Sequence, residues 1–496
     1  MNCGVAGDQY VTVPQVGPTQ VMVEPRVVPL GSTIDQPTPA WILKVLQLLG
    51  GMGAFSMLPL FYNHYGIKTD QIGLVKLAIS VAEIFANWGV AAACDYLGSY
   101  REVLLASNVL GALSIASLLL PTVQSNFSLV FASLIITCAC LASRAPVIDS
   151  LTLKVLADHA RAASAGAQDS PPTYGGQRLW ACVGLGVGAL VAGWCVQNVG
   201  VRMIFVMPML SLIIVVAILL AYLPSTVPRK TEAGTEEEGA ANQLHEPEEK
   251  PLSSLMQFET CWFLINLVVY GLHMALVESF LFIYLLQEFQ PSASATLLSA
   301  STAVSVVFEI FVFMGCGRLF EKGVDLRLLL GICQLICALR LFLYAALPPS
   351  HPELVLLVEP LHGITFAGMW CCSVEYGRRL YPQRHATKAQ ALLDILYYRV
   401  ALGGGAFLWG IVLNAEVFTF RAMFQAAAFS MLVWTSIWGA GWILFAQVSA
   451  AKRTTKTTSS PMPARLPTIL GSSINDNRNN KPTSLEKQQL NEPSDV

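Results

Sequence analysis

Four ionisable side chains stand in apolar stretches of this sequence, where lipid would make their charge costly. They are Glu278, Arg340, Glu359 and His362. A charged side chain near a bilayer centre costs at least about 2.5–3.5 kcal/mol, so such residues persist mainly where they face a helix-bundle interior or a water-filled path. A carboxylate that pairs with arginine in one state and is desolvated in another changes its affinity for a proton. The set could therefore couple protonation to a conformational switch.

Helix geometry favours a cluster of these groups. Glu359 and His362 are three residues apart and share one helix face, and Pro360 between them frees a backbone carbonyl and favours a bend. Glu278 and Arg340 lie at depths in their own segments that allow them to join the pair. A second interpretation stays open: permanent salt bridges could hold the helices together, and His362 could be a hydrogen-bonded core histidine.

A second group of charges lies near the ends of other apolar segments. Arg144 and Asp149 fall at the end of one segment, and Arg178 begins the next. The same group includes Asp394, Arg399 and, without an evident partner in the sequence, Glu83. These residues are candidates for a gate or for substrate contacts. They could also be ion pairs at helix ends that complement the helix dipole.

Composition identifies the class of protein. The chain has 496 residues, of which 54% are hydrophobic and 12% charged, whereas soluble domains carry roughly 25% charged residues. The deficit lies in long apolar runs, which indicates an all-α membrane protein. A net charge of -2 without a basic patch gives no indication of a nucleic-acid partner. The 12 cysteines form no CxxC pair. Since a nucleophile–base pair and a phosphate loop are also missing, we expect no metal, no cofactor and no enzyme activity.

Twelve apolar segments are long enough to span a membrane, which takes about 20 residues each. They cover 40–63, 71–94, 102–121, 127–149, 177–198, 202–223, 258–285, 294–316, 327–347, 353–376, 391–413 and 420–447. The acidic stretch 224–256 separates two blocks of six. We therefore expect two pseudo-symmetric six-helix bundles, 40–223 and 257–447, joined by a disordered linker at 224–256 and flanked by disordered tails at 1–39 and 448–496.

Basic residues in short loops predict the orientation of the spans. One set of loops holds Arg101, Lys154, Arg161, Arg178, Arg318, Lys322, Arg327, Arg378, Arg379, Arg384 and Lys388, and the opposite set holds Lys68, Arg202 and Arg421. The richer side is expected to be cytoplasmic, together with both termini of this multi-pass protein. The sequon at Asn126 then lies outside, in a loop short enough to disfavour glycosylation. The final Ser494-Asp495-Val496 fits a PDZ-type partner, although three-residue motifs recur by chance.

The two blocks echo each other in corresponding loops. Asp95-Tyr96-Leu97-Gly98-Ser99-Tyr100-Arg101 follows the second segment, and Glu321-Lys322-Gly323-Val324-Asp325-Leu326-Arg327 follows the eighth. Each loop has an acid, a turn glycine and then an arginine that opens the next helix. Through Asp95, Gly98 and Arg101 the first loop resembles the cytoplasmic motif of the major facilitator superfamily. It departs from that motif at Ala91, where glycine is usual, and at Ser99-Tyr100, which replace a basic pair.

Three further stretches are similar to the lactose-permease-like branch of this superfamily, which includes nucleoside:proton symporters and the major facilitator superfamily domain-containing protein 6 family. The stretches are 146–152 followed by 174–180, 280–285 with Glu309, and 361–366. In that branch, acids on helices 7, 8 and 10 act with a helix-9 arginine and a helix-10 histidine in proton coupling. The resemblance assigns this role to Glu278, Glu309, Glu359, Arg340 and His362.

These features predict a secondary transporter that works by alternating access and couples protons to the symport of a small polar solute of sugar or nucleoside type. Its partners would be that solute, protons and membrane lipid. Two alternatives stay open. One is a uniporter or organic-ion exporter that keeps the charges as structural locks, and the other is a non-transporting membrane receptor or scaffold on the same fold.

Overall fold

Helices form the described structure, a computed structural model that covers residues 39–52, 55–97, 99–142, 144–164, 174–223, 258–380, 386–416 and 418–458. No strand occurs in these ranges. The chain up to Gly439 forms one compact unit, and a second begins at Ala440 within the last helix. Long apolar runs fold as helices because a helix satisfies each backbone N–H and C=O within its own segment, as hydrocarbon requires. The prediction of an all-α membrane protein is confirmed.

The described part of the first half, residues 39–223, contains both long and short helices. They are α1 (Ala40–Met52), α2 (Leu58–His64), α3 (Thr69–Leu97), α4 (Tyr100–Leu118), α5 (Pro121–Gln124), α6 (Phe127–Ala142), α7 (Arg144–Ser164), α8 (Tyr174–Asn198) and α9 (Met203–Tyr222).

The second half, residues 258–439, begins with three long helices and continues with shorter pieces. The helices are α10 (Phe258–Gln287), α11 (Ala295–Glu321), α12 (Leu326–Ala346), α13 (Val355–Val358), α14 (Pro360–His362), α15 (Met369–Leu380), α16 (Ala386–Asp394), α17 (Gly404–Asn414) and α18 (Phe420–Thr458), of which α18 continues past Gly439. A 3₁₀ turn (Pro352–Leu354) precedes α13, and π-helical segments span Gly363–Gly368 and Ile395–Gly403.

Eleven helical stretches of the described chain are long and apolar enough to cross a membrane, and Trp41–Met52 is a shorter apolar helix. The continuous first span expected at 40–63 is instead divided between α1 and α2, and Pro59 lies in the first turn of α2, where its missing N–H is tolerated. The count of twelve spans therefore stays a prediction. The last helix runs beyond the boundary expected at 447 and ends at Thr458, because alanine, lysine and arginine after 447 are good helix formers.

The predicted linker and most of both predicted tails lie outside the described residues, as does the PDZ-type motif. The same is true of Gly98 and of the side chains of Asp95 and Arg178.

Helix caps fix the register of the two helices that carry Glu309 and Arg340. Ser294 accepts a hydrogen bond from Leu297 N (3.1 Å) at the start of α11, and Asp325 accepts one from Arg327 N (2.9 Å) at the start of α12. Each cap satisfies one of the N–H groups that a helix start leaves unpaired. Asp325, which lies between the glycine and the arginine of the second repeat loop, therefore acts as a helix cap.

Hydrogen bonds join the two halves at one set of helix ends. Thr69 Oγ1 donates to Gly410 O (3.2 Å), Gln287 Nε2 donates to Asn63 Oδ1 (3.1 Å), and Ala295 N donates to Gln197 Oε1 (3.1 Å). These helix ends adjoin loops 65–68, 199–202, 288–294 and 415–419, so these loops share one face, here called the joined face. At the opposite helix ends, no hydrogen bond or ion pair between described residues connects the halves.

Small residues allow the halves to approach closely near the joined face. A Cβ atom on Gly73 of α3 would lie 2.6 Å from the carbonyl oxygen of Ala406 in α17. Such a distance is shorter than any ordinary contact, so only glycine permits this packing. Interfaces of this kind are typical of membrane helices, where small side chains let backbones come together.

Candidate functional site

A cavity of about 450 Å³ lies between the two halves, and all five residues of the predicted proton-coupling set line it. The second half contributes Glu278 from α10, Glu309 from α11, Arg340 from α12, Glu359 between α13 and α14, and His362 from α14. The structure thus brings together every member of the set. Their side chains nevertheless fall into two groups with different partners.

The first group is a buried ion pair, here called the closed pair. Arg340 Nη2 lies 3.2 Å from Glu359 Oε2, and each residue is 2% exposed. Both oxygens of Glu359 accept further hydrogen bonds: Oε1 from Ser301 (2.8 Å) and Tyr344 (3.1 Å), and Oε2 from Ser305 (2.6 Å). Four donors and no acceptor surround this carboxyl group, which is the set of partners that a carboxylate requires.

The guanidinium group of Arg340 is equally well satisfied. Its Nε donates to Tyr344 Oη (2.8 Å) and its Nη1 donates to Thr365 Oγ1 (3.1 Å). The Tyr344 hydroxyl group therefore accepts a hydrogen bond from Arg340 and donates a hydrogen bond to Glu359. Burial of a charge pair is tolerated when hydrogen bonds satisfy the remaining donors and acceptors, and this network meets that condition.

The second group places His362 between two acids, and is here called the open triad. His362 Nε2 lies 2.8 Å from Glu309 Oε1, and His362 Nδ1 lies 4.0 Å from Glu278 Oε1. Nδ1 is buried and has no hydrogen-bond partner. The side chain of Glu278 is 43% exposed, whereas that of Glu309 is 10% exposed. The triad thus runs from a buried acid, through an imidazole with one unpaired nitrogen, to an acid that faces the cavity.

The backbone around Pro360 explains why Glu359 and His362 diverge. His362 N donates to Glu359 O (2.8 Å), which is a tight turn in place of a regular helical bond, and the π-helical segment begins at Gly363. A Cβ on Gly363 would lie 2.6 Å from the carbonyl oxygen of Phe308. Only glycine allows this approach to α11, and it brings His362 to Glu309. Around Pro360 the backbone angles stay helical while the regular hydrogen-bond pattern is interrupted at Glu359, and the bend expected there stays a prediction.

Phe366 supports the histidine ring. The two rings stack with their centroids 5.6 Å apart and an angle of 14° between their planes. Because the stacked phenylalanine restricts ring rotation, the unpaired Nδ1 stays directed toward Glu278. The imidazole can share a proton with Glu309 at 2.8 Å, whereas Glu278 at 4.0 Å is beyond hydrogen-bond distance.

An ion pair between Glu83 of α3 and Arg399 of the π-helical segment Ile395–Gly403 crosses from one half to the other. Asp394 Oδ2 lies 3.9 Å from Arg399 Nη2, and its side chain is 41% exposed. Arg399 Nε is buried without a hydrogen-bond partner. Glu83, which has no evident partner in the sequence, thus finds one 316 residues away.

Glu83 belongs to a stripe of small and polar residues along α3. The stripe consists of Thr69, Gly73, Lys76, Ser80 and Glu83. Their spacing of four, three, four and three residues keeps them on one helix face, and this face packs on α17 and the neighbouring π-helical segment. Lys76 lines the 450 Å³ cavity but is not among the site residues predicted from the sequence. The helical spacing of this stripe could have predicted that Lys76 faces the bundle interior.

Arg144 and Asp149 do not pair in the structure. Arg144 Nη2 donates to the carbonyl oxygens of Leu49 (3.0 Å) and Gly50 (2.7 Å) at the end of α1, while Asp149 Oδ1 accepts from Gln47 Nε2 (2.8 Å). Arg144 is 5% exposed, and its Nη1 has no hydrogen-bond partner. The guanidinium group therefore stabilises the negative end of the α1 dipole.

A second cavity of about 310 Å³ borders these residues. Arg144, Gln47 and Glu83 line it, and Phe55 lines both cavities. Glu83 thus belongs to the cross-half ion pair and also lines the second cavity. Among the described residues, no group of three His, Cys, Asp or Glu side chains is arranged to hold a metal ion.

Arg101 of the repeat loop binds the end of a neighbouring helix. Its Nε donates to Leu219 O (3.1 Å) in the last turn of α9, and its Nη1 pairs with Glu102 Oε1 (2.6 Å). A cation at the carboxyl end of a helix stabilises the helix dipole. The loop arginine therefore connects α4 to α9 within the first half.

Solved structures similar to this one are transporters. The nucleoside transporter NupG in a point-mutant form aligns with a TM-score of 0.65 at 15% identity, over 81% of this chain and 99% of that chain. NupG itself gives a TM-score of 0.63 at 15% identity, over 81% and 98%. A POT family transporter in complex with a thioalcohol conjugated peptide gives a TM-score of 0.57 at 14% identity, over 80% and 94%. At these identities the likeness establishes the fold and leaves the solute open.

The sequence itself provides the family. Residues 46–426 match the MFS_1 like family. The match begins within α1 and ends in the first two turns of α18. Together with the transporter fold, this match indicates a membrane transporter rather than an enzyme. Because the match covers most of the chain, the protein belongs to the MFS_1 like family.

Proposed function

We propose that this protein is a proton-coupled symporter that carries a small polar solute by alternating access. The observation that carries the proposal is the open triad: His362 lies between Glu309 and Glu278, and its buried, unpaired Nδ1 faces Glu278, which lines a cavity between the two halves. Ionisable groups in such a position are rare unless they serve a pathway for ions or substrate. A solute and a proton can meet in this cavity.

The closed pair would act as the conformational partner of the triad. The donors to Glu359 come from α11 and α12, so the carboxyl group loses several of them if either helix shifts. In general, a carboxylate that loses its hydrogen-bond donors and its cation binds a proton more readily. A transporter that passes between two conformations could therefore bind or release a second proton at this group.

The joined face supports a specific conformational state. The distribution of basic residues predicts that this face is extracellular, since its loops contain only Lys68 and Arg202, with Arg421 in the first turn of the helix that follows. Among the described residues, hydrogen bonds between the halves are confined to this face and to the Glu83–Arg399 pair. The structure then corresponds to a state that is closed to the outside, and the two termini are cytoplasmic. Glu83 and Arg399 would form part of the gate.

A uniporter or exporter is the second candidate, and the closed pair favours it. Full satisfaction of Glu359 is also what a permanent lock between helices would show. The two functions differ in energetics: a symporter accumulates solute only while a proton gradient exists. Uptake that continues unchanged when a protonophore removes the gradient would identify the uniporter.

The test uses the purified full-length protein in liposomes that contain a pH-sensitive dye. Pools of solutes are added outside without an imposed proton gradient. Symport predicts internal acidification with one pool, since each solute molecule enters with at least one proton. Uptake of a labelled solute without any pH change would overturn proton coupling, and absence of uptake from every pool would favour the receptor or scaffold.

A further inference from the structure

The solute cavity contains one cation that the proton-coupling groups do not neutralise. Lys76 of α3 lines the cavity, and no described carboxylate forms an ion pair with it. Its stripe neighbours Gly73 and Ser80 face the second half, which directs this side of α3 to the bundle interior. An unpaired ammonium group enclosed by a membrane protein is costly, so a bound anionic group would stabilise it.

The same cavity contains one anion in a comparable situation. Glu278 is 43% exposed, and its shortest approach to a cation is the 4.0 Å to His362 Nδ1, beyond hydrogen-bond distance. The other charges of the cavity already have close partners: Arg340 pairs with Glu359 at 3.2 Å, and His362 bonds Glu309 at 2.8 Å. Among the described residues that line the cavity, Lys76 and Glu278 are therefore the two charges left for a solute.

The two charges come from opposite halves. Lys76 belongs to α3 of the first half, and Glu278 belongs to α10 of the second. A solute that carries one positive and one negative group can satisfy both at once and connect the halves. A neutral sugar or nucleoside would leave both charges unpaired. At about 450 Å³ the cavity has the size of a small-molecule site.

We propose that the solute is a small zwitterion whose carboxylate binds Lys76 and whose ammonium group binds Glu278. This inference rests on the proposed function of the cavity as a solute site. Phe366, Tyr397 and Tyr398 also line the cavity and provide apolar and aromatic surface for the body of the solute. A neutral amino acid or a neutral dipeptide has this combination of charges and size.

The test compares four pools in liposomes that contain the full-length protein: neutral L-amino acids, neutral dipeptides, nucleosides and neutral sugars. Labelled uptake and internal pH are recorded together. For the active zwitterion, its methyl ester (which lacks the anion) and its desamino analogue (which lacks the cation) are then compared. We expect uptake from one zwitterion pool and at least about a tenfold weaker competition by either analogue, which corresponds to 1.4 kcal/mol.

Variants identify which charge binds which group. Lys76→Gln should weaken binding of the zwitterion about tenfold or more but leave binding of the methyl ester unaffected. Glu278→Gln should weaken binding of the zwitterion to a similar extent and leave binding of the desamino analogue unaffected. Lys44→Gln serves as the control, since Lys44 is an exposed lysine in another apolar helix. Retention of a monodisperse peak in detergent shows that each variant folds.

The outcomes separate this inference from the proposed function. Acidification with a sugar or nucleoside pool would overturn the zwitterion while keeping proton symport. Zwitterion uptake without acidification would keep the zwitterion and overturn symport. Equal loss of affinity for the zwitterion and both analogues in Lys76→Gln, or transport from none of the pools, would overturn the assignment of Lys76.

Discussion

The closed pair and the open triad lie in the same cavity wall but differ in how completely their polar atoms are satisfied. Glu359 accepts from four donors and is 2% exposed. His362 has one bonded nitrogen and one unpaired nitrogen, next to an acid that is 43% exposed. A satisfied network holds a conformation, and an unsatisfied group can bind something further. One cluster of charged residues can therefore contain both a network that holds a conformation and a group that is free to bind a ligand.

The largest effect is expected from breaking the closed pair. Arg340→Ala leaves the Glu359 carboxylate buried without its cation, so we expect a loss of about 3–5 kcal/mol in the free energy of unfolding. Arg340→Ala combined with Glu359→Gln should lose less than the sum of the two single variants, because the unpaired charge is gone. Denaturation in detergent measures this double-mutant cycle. Additive losses would show that the two residues do not stabilise each other.

A smaller effect is expected from moving the open triad without removing any of its members. Gly363→Ala places a Cβ 2.6 Å from the Phe308 carbonyl oxygen, which must push α14 away from α11. Overpacking of this kind costs about 1–3 kcal/mol, and the bond between His362 and Glu309 should lengthen.

Gly368→Ala is the matched control for this glycine. It lies at the other end of the same π-helical segment, and its Cβ would meet Cys333 Sγ at 3.4 Å, an ordinary contact. Solute-driven acidification should fall in Gly363→Ala and persist in Gly368→Ala. Equal activity of the two variants would argue that the approach of the histidine to Glu309 has no role in coupling.

The smallest effect on stability is expected at the pair that joins the halves. Glu83 and Arg399 are partly exposed, with side-chain exposures of 16% and 19%, so Glu83→Gln should change the free energy of unfolding by about 1 kcal/mol or less. Its effect should instead appear in transport kinetics, since a gate opens and closes in every cycle. Asp394→Asn is the control, because Asp394 lies 3.9 Å from Arg399 and is 41% exposed. A larger change in transport kinetics in Asp394→Asn than in Glu83→Gln would show that Glu83 is not the acid of the gate.

Sequence alone predicted which charges come together but not that they divide into two groups with different partners. Glu359 and His362 share a helix face by spacing, yet Glu359 binds Arg340 of α12 and His362 binds Glu309 of α11. The separation depends on the interrupted hydrogen bonding at Pro360 and on the close approach at Gly363, and neither distance can be obtained from a one-dimensional pattern. The interruption itself was predictable, since proline removes a helical hydrogen bond.

Long-range partners were the other limit of the sequence. Glu83 and Arg399 are 316 residues apart, and only the packing of α3 on the second half brings them together. The position of Lys76 could have been predicted from the sequence, because a stripe of small and polar residues at helical spacing marks a buried face of a membrane helix. The division of the first span into α1 and α2 could not have been predicted, since the run 40–63 reads as continuously apolar.

The most direct test of the central claim compares accumulation and counterflow in His362→Gln. Glutamine can keep one hydrogen bond to Glu309 but cannot bind a proton, so the variant should lose proton-driven accumulation and retain counterflow exchange of the same solute. His273→Gln is the control, because His273 is a buried histidine on α10 that bonds Ser430 and does not line the cavity. Loss of both activities in a folded His362→Gln protein, or accumulation equal to that of the control, would contradict the role of the open triad in proton coupling.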